Sequence, residues 1–237
     1  MELTYYGHST LAVRTAETSI LIDPFFGHPD VTGDPAADLT PEYVLVTHGH
    51  ADHIGAVDAF TDATLVAVPE LVGYLEETRG VSDAIDMNIG GTVPCGDLHV
   101  TMVRADHSNS GDTDHTRSLG TPVGFCIGTE APQVEAAPGA TTVYHAGDTG
   151  LMSEMRDVIG PYLRPDVAAL PVGDHYTMGA QQAAIAAGWL GVASVIPIHH
   201  GTFPPIEVDL QSVRSTIEAH SETTVHPLGI GERMSIG

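Results

Sequence analysis

The 237-residue sequence predicts a layered α/β fold, and three observations predict it. Short apolar, β-rich runs recur along the whole chain, each closed by Gly, Pro or Asp. Helix-like segments separate some of these runs. The chain opens with hairpin-like strands and later alternates helix with strand, an order that sets sheets beneath outer helices.

Taken in order, the first strands are "LTYYG" (3–7), "TLAVR" (10–14) and "SILIDP" (19–24), each apolar and ended by a turn-forming or charged residue. "YVLVTH" (43–48) leads into a helix-like stretch over 52–60, and "ATLVAVP" (63–69) into another over 70–79. "LHVTMV" (98–103) and "PVGFCIG" (122–128) flank residues 108–121, "SNSGDTDHTRSLGT", whose polarity and glycines predict a long loop. "TTVYHAGD" (141–148), "VAALPVG" (167–173) and "SVIPIHH" (194–200) then alternate with helix-like 151–159, 179–190 and 207–220. No internal repeat, linker or composition break divides the chain, so residues 1–237 are expected to form one domain.

The charge is extreme. Asp and Glu number 31 against 8 Lys and Arg, a formal −23, and all eight basic residues are arginine. That balance suits a cytoplasm of molar salt, where carboxylates hold water and self-repulsion is screened. It speaks against nucleic acid as a partner, since phosphate neutralisation needs clustered Lys and Arg. No apolar run is long enough to span a bilayer, and "MELTYYGHSTLAV" lacks the pattern of a secretory signal, so a soluble cytoplasmic protein is expected. Cys95 and Cys126 lack metal-type spacing and read as small buried apolar residues.

The chemistry gathers at strand ends. After "YVLVT" come His48, His50, Asp52 and His53; later runs end near His107, Asp148 and His199. Four such residues within six positions are costly unless something binds them. Imidazole and carboxylate without thiolate suit zinc, manganese or iron. His48 and His50 can chelate one ion from a turn while Asp52 and His53 face a second. His107 and His199 would each complete one site, and Asp148 would bridge. Alone, His107 or His199 reads equally as a hydrogen-bonded core histidine, and Asp148 as a turn or helix cap; the crowded cluster raises all three together. Seven ligands for two ions leave positions open to water, the mark of catalytic rather than structural sites. Two ions sharing a water bring its pKa down toward about 7, and Asp52 can orient that nucleophile or take its proton while remaining a ligand.

The motifs also carry a resemblance. H-x-H-x-D-H at His48–His53, with "LIDP" at 21–24, "HAGDTG" at 145–150 and "PIHHGTFPPI" at 197–206, resembles the metallo-β-lactamase superfamily in content and order. "GHS" (7–9), "MNIGG" (87–91) and "GDHYTMG" (173–179) are similar to a branch of metal-dependent hydrolases related to ascorbate-6-phosphate lactonase-like proteins. The resemblance implies a four-layer αββα sandwich with two metal ions at one edge, zinc first and manganese or iron as alternatives. It implies His48, His50 and His107 on one ion, Asp52, His53 and His199 on the other, and Asp148 between them. It assigns the ligand to His199 rather than the adjacent His200. Asp23 would support a ligand histidine, its other reading being a turn-former before Pro24.

Around this centre, His8 is expected to hydrogen-bond substrate or leaving group, or else to be a hairpin-turn residue. Asp174 and His175 are expected on the same rim, with helix capping as the alternative for Asp174. His145 is expected to support the Asp148 loop. Residues 108–121, with Asp112, Asp114 and His115, either cover the pocket or form a solvated acidic loop. The function expected is hydrolysis of a small-molecule ester, lactone, thioester or phosphoester. The alternatives are a phosphodiesterase or nuclease of the same fold, or a metal-binding protein without turnover; homo-oligomerisation is left open.

Overall fold

A computed structural model describes residues 1–113 and 115–237; Asp114 lies outside the described residues. The apolar runs pair into two seven-stranded sheets. The first holds β1 (Glu2–Gly7), β2 (Thr10–Arg14), β3 (Ser19–Ile22), β4 (Tyr43–Leu45), β5 (Thr64–Ala67) and β6 (Ala84–Asp86). The second holds β7 (Thr92–Cys95), β8 (Leu98–Arg104), β9 (Val123–Gly128), β10 (Thr142–His145), β11 (Val167–Pro171), β12 (Ser194–Ile198) and β13 (Thr224–Val225). A last strand, β14 (Arg233–Ser235), pairs antiparallel with β1 at the edge of the first sheet.

Both sheets follow one plan. β1 to β3 are antiparallel and β3 to β6 parallel. Likewise β7 to β10 are antiparallel and β10 to β13 parallel. The sequence shows no repeat because only the strand plan recurs, not the residues. Parallel strands are covered on both faces, which is why β11 reads as the unbroken apolar run Val167–Pro171. Its successive side chains still alternate: Val167 and Ala169 join the core shared with the first sheet, while Ala168 and Leu170 face the helices.

Helix α3 (Pro69–Arg79) buries Leu71, Val72, Tyr74 and Leu75 against the first sheet's core. On the second sheet lie α4 (Ala180–Leu190), α5 (Leu210–His220) and a wide-turned helix over Met155–Leu163. The result is the expected layering of helix, sheet, sheet and helix. Among the described residues no helix is long and apolar enough to cross a membrane. Cys95 and Cys126 are buried and unpaired.

Several elements depart from expectation. The predicted 52–60 helix breaks into α2 (Ala51–Ile54) and a tight turn over Val57–Phe60, with Gly55 between them, and Ala56 N–H bonds back to Pro24. The helix expected over 151–159 starts at Met155 instead and runs on past Pro161. Proline brings no N–H, and the turn widens so that Arg164 N–H reaches the Ile159 carbonyl at 3.0 Å. Strands β6, β7, β13 and β14 and the short helix α1 (Pro35–Asp38) were not expected. The four strands are short, and β7 carries Pro94, which only an edge strand tolerates easily.

Candidate metal centre

The sheets deliver side chains to one edge. Asp23 follows β3, His48 to His53 follow β4, His107 follows β8, Asp148 follows β10 and His199 follows β12, while His8 sits in the β1–β2 turn. Backbone bonds stitch these ends together across the sandwich: Val123 N–H to Thr47 O at 3.1 Å and His199 N–H to His8 O at 2.7 Å. Among the described residues five non-glycine ones have positive φ, and three of them stand here: His8 at 52°, Asp23 at 47° and His199 at 54°. Each such residue costs roughly 1–3 kcal/mol, and that strain persists only where the surroundings fix it.

Two groups of side chains face each other. His48, His50 and His107 each bring a nitrogen within 4.8 Å of the others, and Asp52, His53, His199 and His8 form a second such group. His48 Nε2 lies 2.9 Å from His50 Nδ1. Asp148 reaches both groups, with Oδ2 3.7 Å from His107 Nε2 and 2.8 Å from His199 Nε2, and Oδ1 3.4 Å from His53 Nε2. His53 Nε2 and Asp148 Oδ1 are buried and face each other without a hydrogen bond. Donor atoms about 2.1 Å from a tetrahedral ion stand roughly 3.4 Å apart, so a cation satisfies both. The nitrogen and oxygen donor set, without thiolate, fits a divalent metal of the zinc, manganese or iron kind.

Supporting contacts set the ring orientations. Asp23 is fully buried; its Oδ1 accepts from Thr47 N–H at 2.8 Å, and its Oδ2 accepts from Thr47 Oγ1 at 2.7 Å and from His53 Nδ1 at 2.7 Å. His145, also fully buried, ties its Nε2 to Ser9 O at 2.9 Å and accepts Gly147 N–H at 3.2 Å, holding the turn that carries Asp148. Asn109 Oδ1 accepts Gly49 N–H at 2.8 Å, which fixes the turn between His48 and His50.

The electrostatics follow from burial and crowding. Burial, then the neighbouring imidazoles, pushes His48 well below the ordinary histidine range and His50 down to about 4, leaving their ring nitrogens as free donors for a metal. Burial also lowers His53, yet the Asp148 and Asp23 carboxylates on either side lift it well above that range. Burial raises Asp148, but His53 and His199 hold it well below the usual carboxylate value. Asp52 follows the same pattern: burial raises it, but the His8 hydrogen bond together with the charges of His53 and His8 brings it below the usual carboxylate value.

In front of both groups opens a cavity of about 380 Å³. His50, Asp52, His107, Asp148 and His199 form its floor, and Ser108, Tyr176 and Phe203 its walls. None of the three residues expected on the substrate rim lines this cavity, and His8 takes its alternative place in the β1–β2 turn. His8 does not reach the cavity: it is fully buried behind Asp52, its Nε2 3.1 Å from Asp52 Oδ2 and its Nδ1 2.8 Å from Thr202 Oγ1. Asp174 and His175 do not line it either. Asp174, at φ 66°, turns its carboxylate against Gly179 at the start of α4, and His175 lies edge-on against Tyr176 in solvent. His200 is buried beside Tyr5, their rings 6.2 Å apart. Thr47, Thr202, Tyr176 and Phe203 also shape the site, and each sits inside a motif legible in the sequence, "YVLVTH", "PIHHGTFPPI" or "GDHYTMG", with no local signal that marks its role.

Comparison with known proteins gives consistent matches. The beta-lactamase superfamily domain profile matches residues 2–199. A UPF0173 metal-dependent hydrolase of Haloquadratum walsbyi is 54% identical over 229 residues, covering 96% of this chain and 97% of its own length. One from Halobacterium salinarum is 51% identical over 237 residues, covering 100% of this chain and 98% of its own. Among solved structures, Igni18, a metallo hydrolase from Ignicoccus hospitalis, superposes with TM-score 0.82 at 31% identity, covering 100% of this chain and 99% of its own.

Proposed function

This chain belongs to the beta-lactamase superfamily, among its metal-dependent hydrolases, and from that premise we propose that it hydrolyses a small ester, lactone, thioester or phosphoester at a pair of divalent ions, zinc foremost. One observation carries the reading: the Asp148 carboxylate reaches histidines of both facing groups. His48, His50 and His107 would hold one ion, Asp52, His53 and His199 the other, and Asp148 both. Bound there, such ions supply Lewis acidity and a water acidic enough to ionise near pH 7.

The chain's own residues do the rest. Asp52 is 26% exposed, whereas Asp148 is 3% exposed, so Asp52 is the carboxylate placed to take a proton from water entering the cavity. His8, anchored by Thr202, holds Asp52 Oδ2 in place and is a positioning residue. Asp23 and Thr47 aim His53, and His145 sets the turn of Asp148. The walls confine the substrate's reacting group to the floor.

Purified protein loaded in molar KCl should hold about two ions per chain, and His48→Ala and Asp148→Ala should each lower that number and turnover together. Metal analysis alongside a panel of p-nitrophenyl esters, bis-p-nitrophenyl phosphate, lactones and thioesters tests this. Full metal occupancy with no turnover across the panel would favour a binding protein instead.

A further inference from the structure

We propose that the substrate is an uncharged ester or thioester whose single aryl group sits between Tyr176 and Phe203, a narrowing that rests on the hydrolase reading above. Large apolar side chains are costly to leave in water, yet Tyr176 is 55% and Phe203 40% exposed, and both stand on the walls of the cavity over the metal centre. They come from separate loops, one after β11 and one after β12, so two independent segments present aromatic rings to the same space.

The turns that carry both rings are closed before anything binds. The Tyr176 turn is closed by Asp174 N–H to Met178 O at 3.1 Å, and Met178 N–H is tied to Thr149 O at 3.1 Å. Phe203 packs edge-on against His8 at 5.8 Å between ring centroids and leans on Phe25 at 6.4 Å, while Gly201 N–H to Ile206 O at 2.9 Å closes its turn. Two aromatic side chains on fixed turns around one cavity favour a flat apolar group at a reduced ordering cost.

Charge selects in the same direction. The sequence has no lysine, and none of its eight arginines lines the cavity. Six of them are engaged with carboxylates elsewhere, Arg164 caps backbone carbonyls, and Arg14 faces a separate groove beside Arg233. A substrate carboxylate or phosphate beyond the reacting group would therefore find no cationic partner among these walls, on a chain of formal charge −23. Among the described wall residues, the groups able to hydrogen-bond are the neutral hydroxyls of Ser108 and Tyr176. At about 380 Å³ the cavity stands near the small end of ligand pockets, roughly 300–1,000 Å³, and suits one ring rather than two.

The test uses zinc-loaded protein in molar KCl with methyl phenylacetate, methyl acetate and methyl 4-carboxyphenylacetate, followed by proton release. The expected kcat/KM for methyl phenylacetate exceeds that of each of the other two by about tenfold or more. Phe203→Ala and Tyr176→Ala should each cut the phenylacetate-to-acetate ratio by about tenfold, whereas Tyr162→Ala, an exposed aromatic outside the cavity, should leave it unchanged. Binding of phenylacetamide, read by ligand-observed NMR, should weaken in the first two variants only. Equal rates for the neutral and carboxylated aryl esters, or an unaltered ratio in both wall variants, overturns the substrate class while leaving hydrolysis standing. Phenylacetamide held in a Phe203-dependent way with no turnover of these esters or of the ester, lactone, thioester and phosphodiester panel above overturns the hydrolase reading and leaves the recognition surface standing.

Discussion

Asp23 shows how much one buried carboxylate organises. Two donors from Thr47 and one from His53 converge on it, and the His53 ring is thereby turned so that Nε2 faces Asp148. Asp23→Asn would replace one of those oxygens with an NH₂ group directed at existing donors. Its expected effect is a loss of about 1–3 kcal/mol in stability and a drop of about 10–100-fold in metal affinity, the usual cost of removing a ligand's supporting partner. Chelator-competition titration and thermal unfolding measure the two separately. Unchanged affinity would reduce Asp23 to a turn-former before Pro24. The identity of such residues was legible in sequence, but their direction was not. "GHS" marked His8, yet the hydroxyl that draws its ring behind Asp52 belongs to Thr202, 194 positions away, and no local pattern carries that information.

At the scale of elements, strand ends were legible and straps were not. Residues 108–121 read as a polar loop, and among its described residues only Ser108 reaches the cavity. Asn109, Asp112 and Arg117 fasten the His48–His50 turn to α3. Asn109 bridges Gly49 and Leu119, Arg117 pairs with Glu77 at 2.8 Å, and Asp112 accepts from both Tyr74 and Arg79. These partners lie far off in sequence, so composition alone shows only polarity. Asp112 yields a prediction with a definite sign. Burial pushes its pKa up, but the Tyr74 hydroxyl and the Arg79 guanidinium more than offset this and hold it below the usual carboxylate value. A depressed folded-state pKa stabilises at pH above the unfolded value of about 3.9 and loses that contribution as pH falls through the folded one. The stability gap between the protein and its Asp112→Asn variant should therefore be largest above about pH 4 and close on further acidification. Urea unfolding across pH measures it, and a gap independent of pH would show that Asp112 contributes by shape alone.

For the whole molecule, the α/β layering was legible because recurrent apolar runs must be buried, and the edges were not, because β6, β7, β13 and β14 are short or half exposed. The charge was legible outright and has the widest consequence. The arginine ion pairs take up Glu2, Asp58, Glu77, Asp106, Asp112, Asp157 and Glu218, a minority of the 31 carboxylates. Most of those pairs lie at the surface, where each contributes about 0–1 kcal/mol. The remaining carboxylates repel one another over a screening length near 10 Å at 0.1 M salt and about 3 Å at 1 M. Folding concentrates that charge and unfolding relieves it, so the folded state gains more from salt than the unfolded chain does. The relatives from Haloquadratum and Halobacterium, both halophiles, fit such a balance. The melting temperature should climb with KCl, most steeply below about 1 M where the screening length changes most. Sucrose, which is excluded from protein surfaces but screens nothing, should not reproduce that steep early rise. Differential scanning calorimetry across both series decides the matter. A melting temperature flat in KCl would mean that the acidic surface serves solubility alone, with no part in holding the sandwich closed.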